Sequence, residues 1–479
     1  MRRTKIVATL GPASDPPKVL AALLDAGVDV VRLGLAHGSP EEHLTRIKLV
    51  RDLAQQRGRT VGVLADLPGP KVRAGTFPEG GAFLAEGDRV ELVVGPGVGT
   101  STSERIAVDE PRLAQVVSPG DTVVVGDGTV SLEVVAVDDA AAGGAVQAVV
   151  HSGGRLQGRP GVHLPSDRWM PSVPTPDDLR LLDRVGRLGD WVALSFVRRP
   201  EELGRLREAL GSDGPRLMAK IETRDAVERL DDLLAVADGV MVARGDLGID
   251  CPIEDVPHLQ KEIINACAVR GIPVLTATQM LESMVSAPMP TRAEASDVAN
   301  AVVDGSDALM LSAETAIGHD PPQAVRTMAR IAERAERSDE RRIPAQQLGS
   351  VERRPPTTHE VTVAMAHAAR RAASELQLAA IVCCTRTGAT ARAMAALRPP
   401  CQLIGASPSA EITRQLALSW GVEPCLVSDY TTTDEMVWCV VETAVQQDMV
   451  RHGETIAVLA GAPDSPVRTT DVLRIVAVR

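Results

Sequence analysis

The chain has 479 residues and carries 51 Lys and Arg against 63 Asp and Glu, a net charge of -12, and its length predicts about three domains. Apolar residues make up 44% and charged residues 24%, an ordinary globular mixture, and no apolar run approaches the roughly 18 residues of a membrane span. Four Trp, one Tyr and three Phe in an acidic chain are too few and too scattered for nucleic-acid stacking, so neither a nucleic-acid nor a membrane partner is expected.

Thr4 to Leu10 follows Met1, Arg2 and Arg3 without a signal-type apolar region, and the seven cysteines lack C-x-x-C spacing. Free thiols in a reducing cytoplasm are the expectation. The β-branched run Ile6 to Thr9 ends at Gly11-Pro12 and precedes an Ala/Leu-rich helical stretch, Pro17 to Ala26. A second run, Val28 to Leu33, leads into an amphipathic stretch, Pro40 to Gln56, and a third, Thr60 to Ala65, ends at Asp66. From Arg73 to about Asp167 the pattern changes to short alternating strands broken by glycine, among them Arg89 to Val94, Thr122 to Val125 and Val130 to Val137, which predicts an inserted all-β module.

The βα rhythm then resumes with runs at Trp191 to Val197, Leu217 to Ile221, Gly239 to Val242, Pro273 to Thr276 and Ala308 to Leu311. Three early strands and five late ones predict an α/β fold, a (β/α)8 TIM barrel interrupted by an all-β inserted domain; an open doubly wound sheet is the alternative. The expected boundaries are 1–70 and 169–340 for the barrel and 71–168 for the insert. A polar, proline-bearing linker, Ser338 to Glu360, precedes a C-terminal α/β domain, 357–479, with strand runs at Ala379 to Cys383, Gln402 to Gly405 and Thr455 to Leu459.

A TIM barrel places chemistry at the carboxyl ends of its strands. Those ends carry Arg32, Asp66, Ser195, Lys220 with Glu222, Arg244 with Asp246, Thr278 with Gln279, and Ser312 with Glu314. Lys220 and Glu222 are two apart on one strand, so the pleat turns both side chains to the same face. Asp246 follows one βα unit later, and Glu222 with Asp246 could supply part of an Mg²⁺ octahedron that waters and substrate oxygens complete. Gly245 allows close backbone approach, and a short helix starting near Asp246 would offer N–H groups to an anion. Arg32 and Arg73 would add guanidinium donors matched to phosphate.

A single strand-end charge is ordinarily a solvated rim group; the clustering of Lys220, Glu222 and Asp246 is what argues for a site. Thr278 and Ser312 could equally cap helices. His37 and His43 lack metal-ligand spacing and read by themselves as structural or surface residues.

At these residues the chain resembles the pyruvate kinase family over nearly its whole length. The resemblance rests on TKIVATLGP (Thr4 to Pro12), ALSFV (Ala193 to Val197), AKIE (Ala219 to Glu222), MVARGDLG (Met241 to Gly248), ATQMLESM (Ala277 to Met284) and PTRAEASDVANAVVDGSDALMLSAETA (Pro290 to Ala316). Gly120 to Val135, with Asp127-Gly128, resembles the family's mobile lid. The resemblance implies phosphoryl transfer from phosphoenolpyruvate to ADP in glycolysis by a cytoplasmic homotetramer. Glu222 and Asp246 would hold Mg²⁺, with Mn²⁺ as a substitute, and Lys220, Arg32 and Arg73 would neutralise the phosphoryl in flight. Gly245 and Asp246 would receive the substrate carboxylate, Thr278 would lie near the carbon that accepts a proton, and Ser312 and Glu314 would lie on the proton path. Arg32, His37, Arg73 and Arg159 fall on the nucleotide side.

The departures are equally specific. The family's R-L-N-F-S-H-G reads Arg32, Leu33, Gly34, Leu35, Ala36, His37, Gly38, which removes two side-chain ligands of a monovalent cation. The threonine expected after Asp66 is Leu67, and K-G-P-E reads Pro68, Gly69, Pro70, Lys71. The expectation is that K⁺ is not required, the Lys71 ammonium standing in for it beside Asp66. Pro160 replaces a nucleotide-facing lysine, with Arg159 as its substitute.

In the last domain, Thr385, Arg386, Thr387, Gly388, Ala389 and Thr390 resemble the family's effector loop, which implies a phosphorylated effector; an ordinary strand-to-helix turn is the alternative. The family's later glycine-rich effector segment reads Gly461, Ala462, Pro463, Asp464, Ser465, Pro466 and has lost glycines. Two other readings stay open at this point: a paralogue with another acceptor or enolate chemistry, and a catalytically weakened metabolite sensor.

Overall fold

Eight apolar strands, each followed by a helical segment, close into a parallel ring in the computed structural model, which describes residues 2–95, 101–126, 128–138, 144–165, 168–211, 214–339, 360–461 and 470–479. The barrel strands in order are Lys5–Thr9, Val30–Gly34, Gly62–Leu67, Trp191–Leu194, Arg216–Ile221, Gly239–Ala243, Val274–Ala277 and Ala308–Leu311. Each pairs with its neighbour in sequence, and Lys5 of the first stands opposite Ala308 of the eighth. Closure excludes the open doubly wound alternative. Local signals set the element ends: Ser39 and Glu42 form a capping box at the start of helix Pro40–Gln56, and Gly305, at φ +111°, ends helix Arg292–Asp304.

The inserted module enters between the third and fourth strands. Its main sheet has six strands, in the order Val162–His163, Thr122–Val125, Val130–Asp138, Ala145–Ser152, Arg89–Val94 and Arg105–Val108, around its own apolar core. The C-terminal domain has a five-stranded sheet whose last strand, Val472–Ala477, runs antiparallel to Thr455–Ala460 at the edge. Asp127, residues 340–359 of the linker and Ala462 to Pro466 of the second effector segment lie outside the described residues. All seven cysteines are free thiols, and among the described residues no helix is long and apolar enough to cross a membrane.

With so few rings available, one Trp and three Met fill the barrel interior. Trp191, fully buried, packs with Met218, Met241 and Met310, and Ala417 and Leu418 of the C-terminal domain complete the same cluster at the amino-terminal end of the strands. The Trp191 ring so fills the space beside Gly239 that a Cβ there would stand 2.8 Å from it. Polar contacts also join the C-terminal domain to this barrel end: the Trp191 indole N–H donates to the Gln415 carbonyl at 3.1 Å, and the buried Asp190 carboxylate pairs with Arg414 at 2.7 Å while Arg51 of the barrel holds it at 2.7 Å. Truncating Trp191 therefore opens a cavity and removes a domain contact together. Trp191→Ala is expected to lower stability by about 3–5 kcal/mol, read as a lower urea midpoint by far-ultraviolet circular dichroism; an unchanged midpoint would show that the floor is not a shared core.

Candidate active site

The pleat of the fifth strand turns Lys220 towards the barrel mouth, where its ammonium donates to Ser195 Oγ at 2.6 Å. Ser195 Oγ in turn donates to the Leu67 carbonyl at 2.7 Å. Two carboxylates flank the same nitrogen, Glu222 Oε1 at 2.9 Å and Asp66 Oδ1 at 3.4 Å. Asp66 Oδ2 receives Arg32 Nε at 2.7 Å, and Arg32 also donates to Thr9 Oγ1 at 3.2 Å. Residues from the first, second, third and fifth barrel strands and from the segments after the fourth and fifth thus meet around one buried cation.

Burial alone would push the Lys220 pKa down, but Asp66 and Glu222 outweigh it and hold it above the ordinary lysine value. Burial pushes Asp66 up, and the nearby charges of Lys220 and Arg32 overcome this to hold it below the ordinary aspartate value. Glu222 ends on the other side: burial raises its pKa, Asp246 raises it further, and Lys220 opposes both only in part. A buried glutamate driven towards its neutral form beside a second carboxylate is an environment that a divalent cation would relieve.

The donor set fits a hard cation bound partly by substrate. Glu222 Oε2 accepts the Phe196 N–H at 2.7 Å, which fixes the carboxylate, while the buried Oε1 lies 2.9 Å from the Lys220 ammonium. Asp246, in helix Arg244–Asp250, leaves 27% of its side chain exposed on a cavity of about 150 Å³ that Glu222 also lines. Among the described residues no three His, Cys, Asp or Glu converge to hold a metal. Two carboxylates with room for further oxygens suit Mg²⁺, which keeps waters or takes substrate oxygens.

Backbone strain sets the rim. Phe196, Thr278 and Gln279 have φ values of +57°, +67° and +53° just beyond the carboxyl ends of their strands. Arg244 secures the strained pair, donating to the Thr278 carbonyl at 2.7 Å and pairing with Asp297 at 2.7 Å. Thr278 Oγ1 accepts the Gly245 N–H at 2.9 Å, so in this state that amide is occupied by the protein itself, and the threonine is not a helix cap. Ser312 occupies the N-cap position of a four-residue helix without making a side-chain cap; its hydroxyl is buried and unpartnered, and its N–H donates to Glu314 Oε2 at 2.6 Å.

The residues expected on the nucleotide side, Arg32, His37, Arg73 and Arg159, include three guanidinium cations. His37 is exposed, and burial of part of its ring together with the charges of Arg73, Lys71 and Arg32 holds its pKa below the ordinary histidine value. Lys71 is exposed and lines the 150 Å³ cavity. Arg73 pairs by a backbone bridge with Gly161 and donates to the Arg159 carbonyl at 3.3 Å. The Arg159 guanidinium itself lies 3.8 Å from Asp109. A Cβ at Gly34 would meet the Arg32 guanidinium at an ordinary 3.6 Å, so the missing side chain there leaves a chemical gap rather than relieving a steric one.

Sequence reasoning missed the role of three groups. The Phe196 amide orients Glu222, a backbone role that carries no side-chain signature. His163, on strand Val162–His163 of the inserted module, places Nε2 3.9 Å from Asp246 Oδ1. Arg198 donates to the Pro171 carbonyl at 2.7 Å and so ties the segment leaving the lid to the barrel.

In the C-terminal domain, the loop caps its own amides: Gly388 N–H donates to Thr385 Oγ1 at 2.9 Å and Ala389 N–H to Thr387 Oγ1 at 3.4 Å. Thr390 shares a 2.7 Å hydroxyl contact with Thr470, and Arg386 pairs with Asp429 at 2.8 Å. The Thr387 carbonyl accepts from Arg216, the first residue of the strand that carries Lys220, at 2.8 Å.

The chain is similar to known proteins over nearly its whole length. Residues 1–325 match the family model described as the pyruvate kinase barrel domain, and residues 363–476 match the pyruvate kinase alpha/beta domain. A pyruvate kinase of Geobacillus stearothermophilus is 40% identical over 478 residues, 99% of this chain and 80% of the relative. One from Agrobacterium vitis is 40% identical over 475 residues, 99% of this chain and 98% of the relative, and pyruvate kinase 2 of Synechocystis sp. is 39% identical over 483 residues.

The ion pairs make a pH prediction. Asp66, its pKa lowered on folding, contributes stability that is complete above the unfolded aspartate value and is lost as pH falls through the lower folded value. Asp66→Asn is expected to cost about 3–5 kcal/mol at pH 7, as for other broken buried pairs, and to flatten the acid limb of the stability profile measured by urea unfolding between pH 7 and 3. An acid limb identical to that of the native chain would remove Asp66 from the charge network.

Proposed function

We infer that this chain, which belongs to the pyruvate kinase family, transfers the phosphoryl group of phosphoenolpyruvate to ADP, giving pyruvate and ATP, and does so without K⁺. It is a phosphotransferase. The observation that carries the reading of the site is the buried Lys220 ammonium held between Asp66 and Glu222, with Asp246 beside them.

In this transfer the bond from the enol oxygen to phosphorus breaks as a bond from a terminal ADP oxygen forms, and the enolate left behind takes a proton at its methylene carbon. Lys220 neutralises the phosphoryl oxygens between donor and acceptor, a fixed charge needing no reorganisation during the step. Arg32, oriented by Asp66, and Arg73, at the lid boundary, hold the phosphates from the other side. Glu222 and Asp246 would hold Mg²⁺ or Mn²⁺, which supplies charge neutralisation and alignment of donor oxygens. Thr278 and the unpartnered Ser312 hydroxyl stand on the side from which the carbon would be protonated.

In this reading the exposed Lys71 ammonium would supply the charge of a bound monovalent cation, while among the described residues Asp66 itself pairs with Arg32 and Lys220. The Lys71 charge acts on His37 together with Arg32 and Arg73, which supports its position on the phosphate side of the site. Gly34, Ala36 and Leu67 supply no side-chain oxygen to hold a free ion. A phosphorylated effector at Thr385 to Thr390 would displace the loop's own hydroxyl caps, and Arg216 would carry that change into the strand of Lys220. A homotetramer in the cytoplasm belongs to the same reading.

Two measurements test it. Pyruvate formation with Mg²⁺ in tetramethylammonium buffer is expected to match that in K⁺ within about twofold, because a fixed ammonium replaces the ion; a strict K⁺ requirement would remove Lys71 from this role. Lys220→Met is expected to lower turnover by roughly 10²–10³ with circular dichroism unchanged; near-normal turnover would take Lys220 out of the mechanism.

A further inference from the structure

A second cavity, of about 760 Å³, lies away from the active site where the barrel meets the C-terminal domain. Helix Pro321–Asp339 of the barrel, helix Glu360–Leu376 of the C-terminal domain, the segment 398–403 and the amino-terminal residues before the first strand bound it. Its volume falls in the range of a small-molecule site, and domain interfaces are where such sites concentrate. None of the residues Thr385 to Thr390 lines it.

The lining has the wrong charge for this protein. Six cationic side chains, Arg2, Arg3, Lys5, Arg337, Arg370 and Arg398, face three carboxylates in a chain of net charge -12. Most of the cations have work elsewhere. Arg2 pairs with Asp29 at 2.8 Å and Lys5 lies 3.7 Å from it, Arg3 donates to the Pro400 carbonyl at 2.8 Å, and Arg398 donates to the Ser306 carbonyl at 3.2 Å. Two of the carboxylates are also engaged, Glu336 by the N–H groups of Arg3 and Thr4 and Glu423 by the Gln402 amide. Arg337 and Arg370 have no ion-pair partner among the described residues.

Two buried donors on this lining are also unanswered. Arg370 Nε and the Trp420 indole Nε1 are shielded from solvent and have no hydrogen-bond acceptor among the described residues. Trp420 is 6% exposed and is held between two guanidiniums, with Arg3 at 5.3 Å and Arg398 at 4.7 Å from its ring. Native proteins rarely leave buried donors unpaired, and each costs about 1–3 kcal/mol. Surplus guanidinium charge, donors without acceptors among the described residues and a cavity of molecular size ask for the same thing, a compact anion rich in acceptor oxygens.

We propose that this interdomain cavity binds a phosphorylated small molecule, with Arg337 and Arg370 as its principal phosphate ligands. Guanidinium forks match phosphate oxygens, and a multiply charged phosphate gains more than a single carboxylate would from two arginines that have no ion-pair partner among the described residues. A ligand there touches barrel and C-terminal domain at once, so binding clamps them together and stabilises the native state.

The test uses inorganic pyrophosphate as probe, in buffer free of divalent cations, with the full chain. Titration calorimetry is expected to show a saturable site whose affinity falls about tenfold or more in Arg337→Ala/Arg370→Ala, accompanied in the native chain by a tryptophan fluorescence change that Trp420→Phe abolishes. Arg337→Lys/Arg370→Lys should retain part of the affinity, and phosphoenolpyruvate turnover without pyrophosphate should be the same in the alanine pair and the native chain. An isotherm unchanged in the alanine pair, or one lost only in Arg73→Ala, would overturn the proposal by placing all binding at the active site. Turnover is recorded separately, so failure of the cavity and failure of the catalytic reading give different results.

Discussion

Burying an ammonium costs several kcal/mol unless opposite charge and hydrogen-bond acceptors are already in place, and Lys220 is buried only because Asp66, Glu222 and Ser195 meet around it. Each partner constrains another element. Asp66 fixes Arg32, Ser195 reaches back to the Leu67 carbonyl, and Glu222 draws in the Phe196 amide at a positive φ. The site is therefore a property of a closed ring of strands, since the partners come from separate strand ends and reach one nitrogen only when the ring is complete.

The same strand that holds Lys220 and Glu222 at its carboxyl end begins at Arg216, which bonds the Thr387 carbonyl and Asp238. The barrel floor is shared in the same way, with Leu418 of the C-terminal domain in the interior beside Trp191. Four residues of extended chain span about 13 Å, so the proposed catalytic and effector regions are linked by one stiff strand. The C-terminal domain is in this sense part of the barrel's packing as well as a neighbour of it.

Charge distribution completes the picture. The protein is acidic overall, yet cations gather locally: Arg32, Lys71 and Arg73 border the active site, and six cations face three carboxylates in the interdomain cavity. In a chain that repels anions at long range, such local surpluses select for ligands with several closely spaced negative charges, because only these gain enough at contact to offset desolvation.

The amino-acid sequence by itself determined the eight strand-and-helix units and the pairing of Lys220 with Glu222, because strand and helix periods are local and a spacing of two puts side chains on one face whatever surrounds them. It also carried the changes at Gly34, Ala36, Leu67 and Lys71, which are legible as chemistry lost or gained at a position. The strained Phe196, Thr278 and Gln279 left no such signal, since a positive φ in a residue other than glycine is imposed by packing rather than by residue type. Nor did the approach of His163 to Asp246, the capture of the Gly245 amide by Thr278, or the unpaired donors of Arg370 and Trp420. Those depend on distances between segments far apart in the chain, and only closure of the ring and docking of the domains fix such distances.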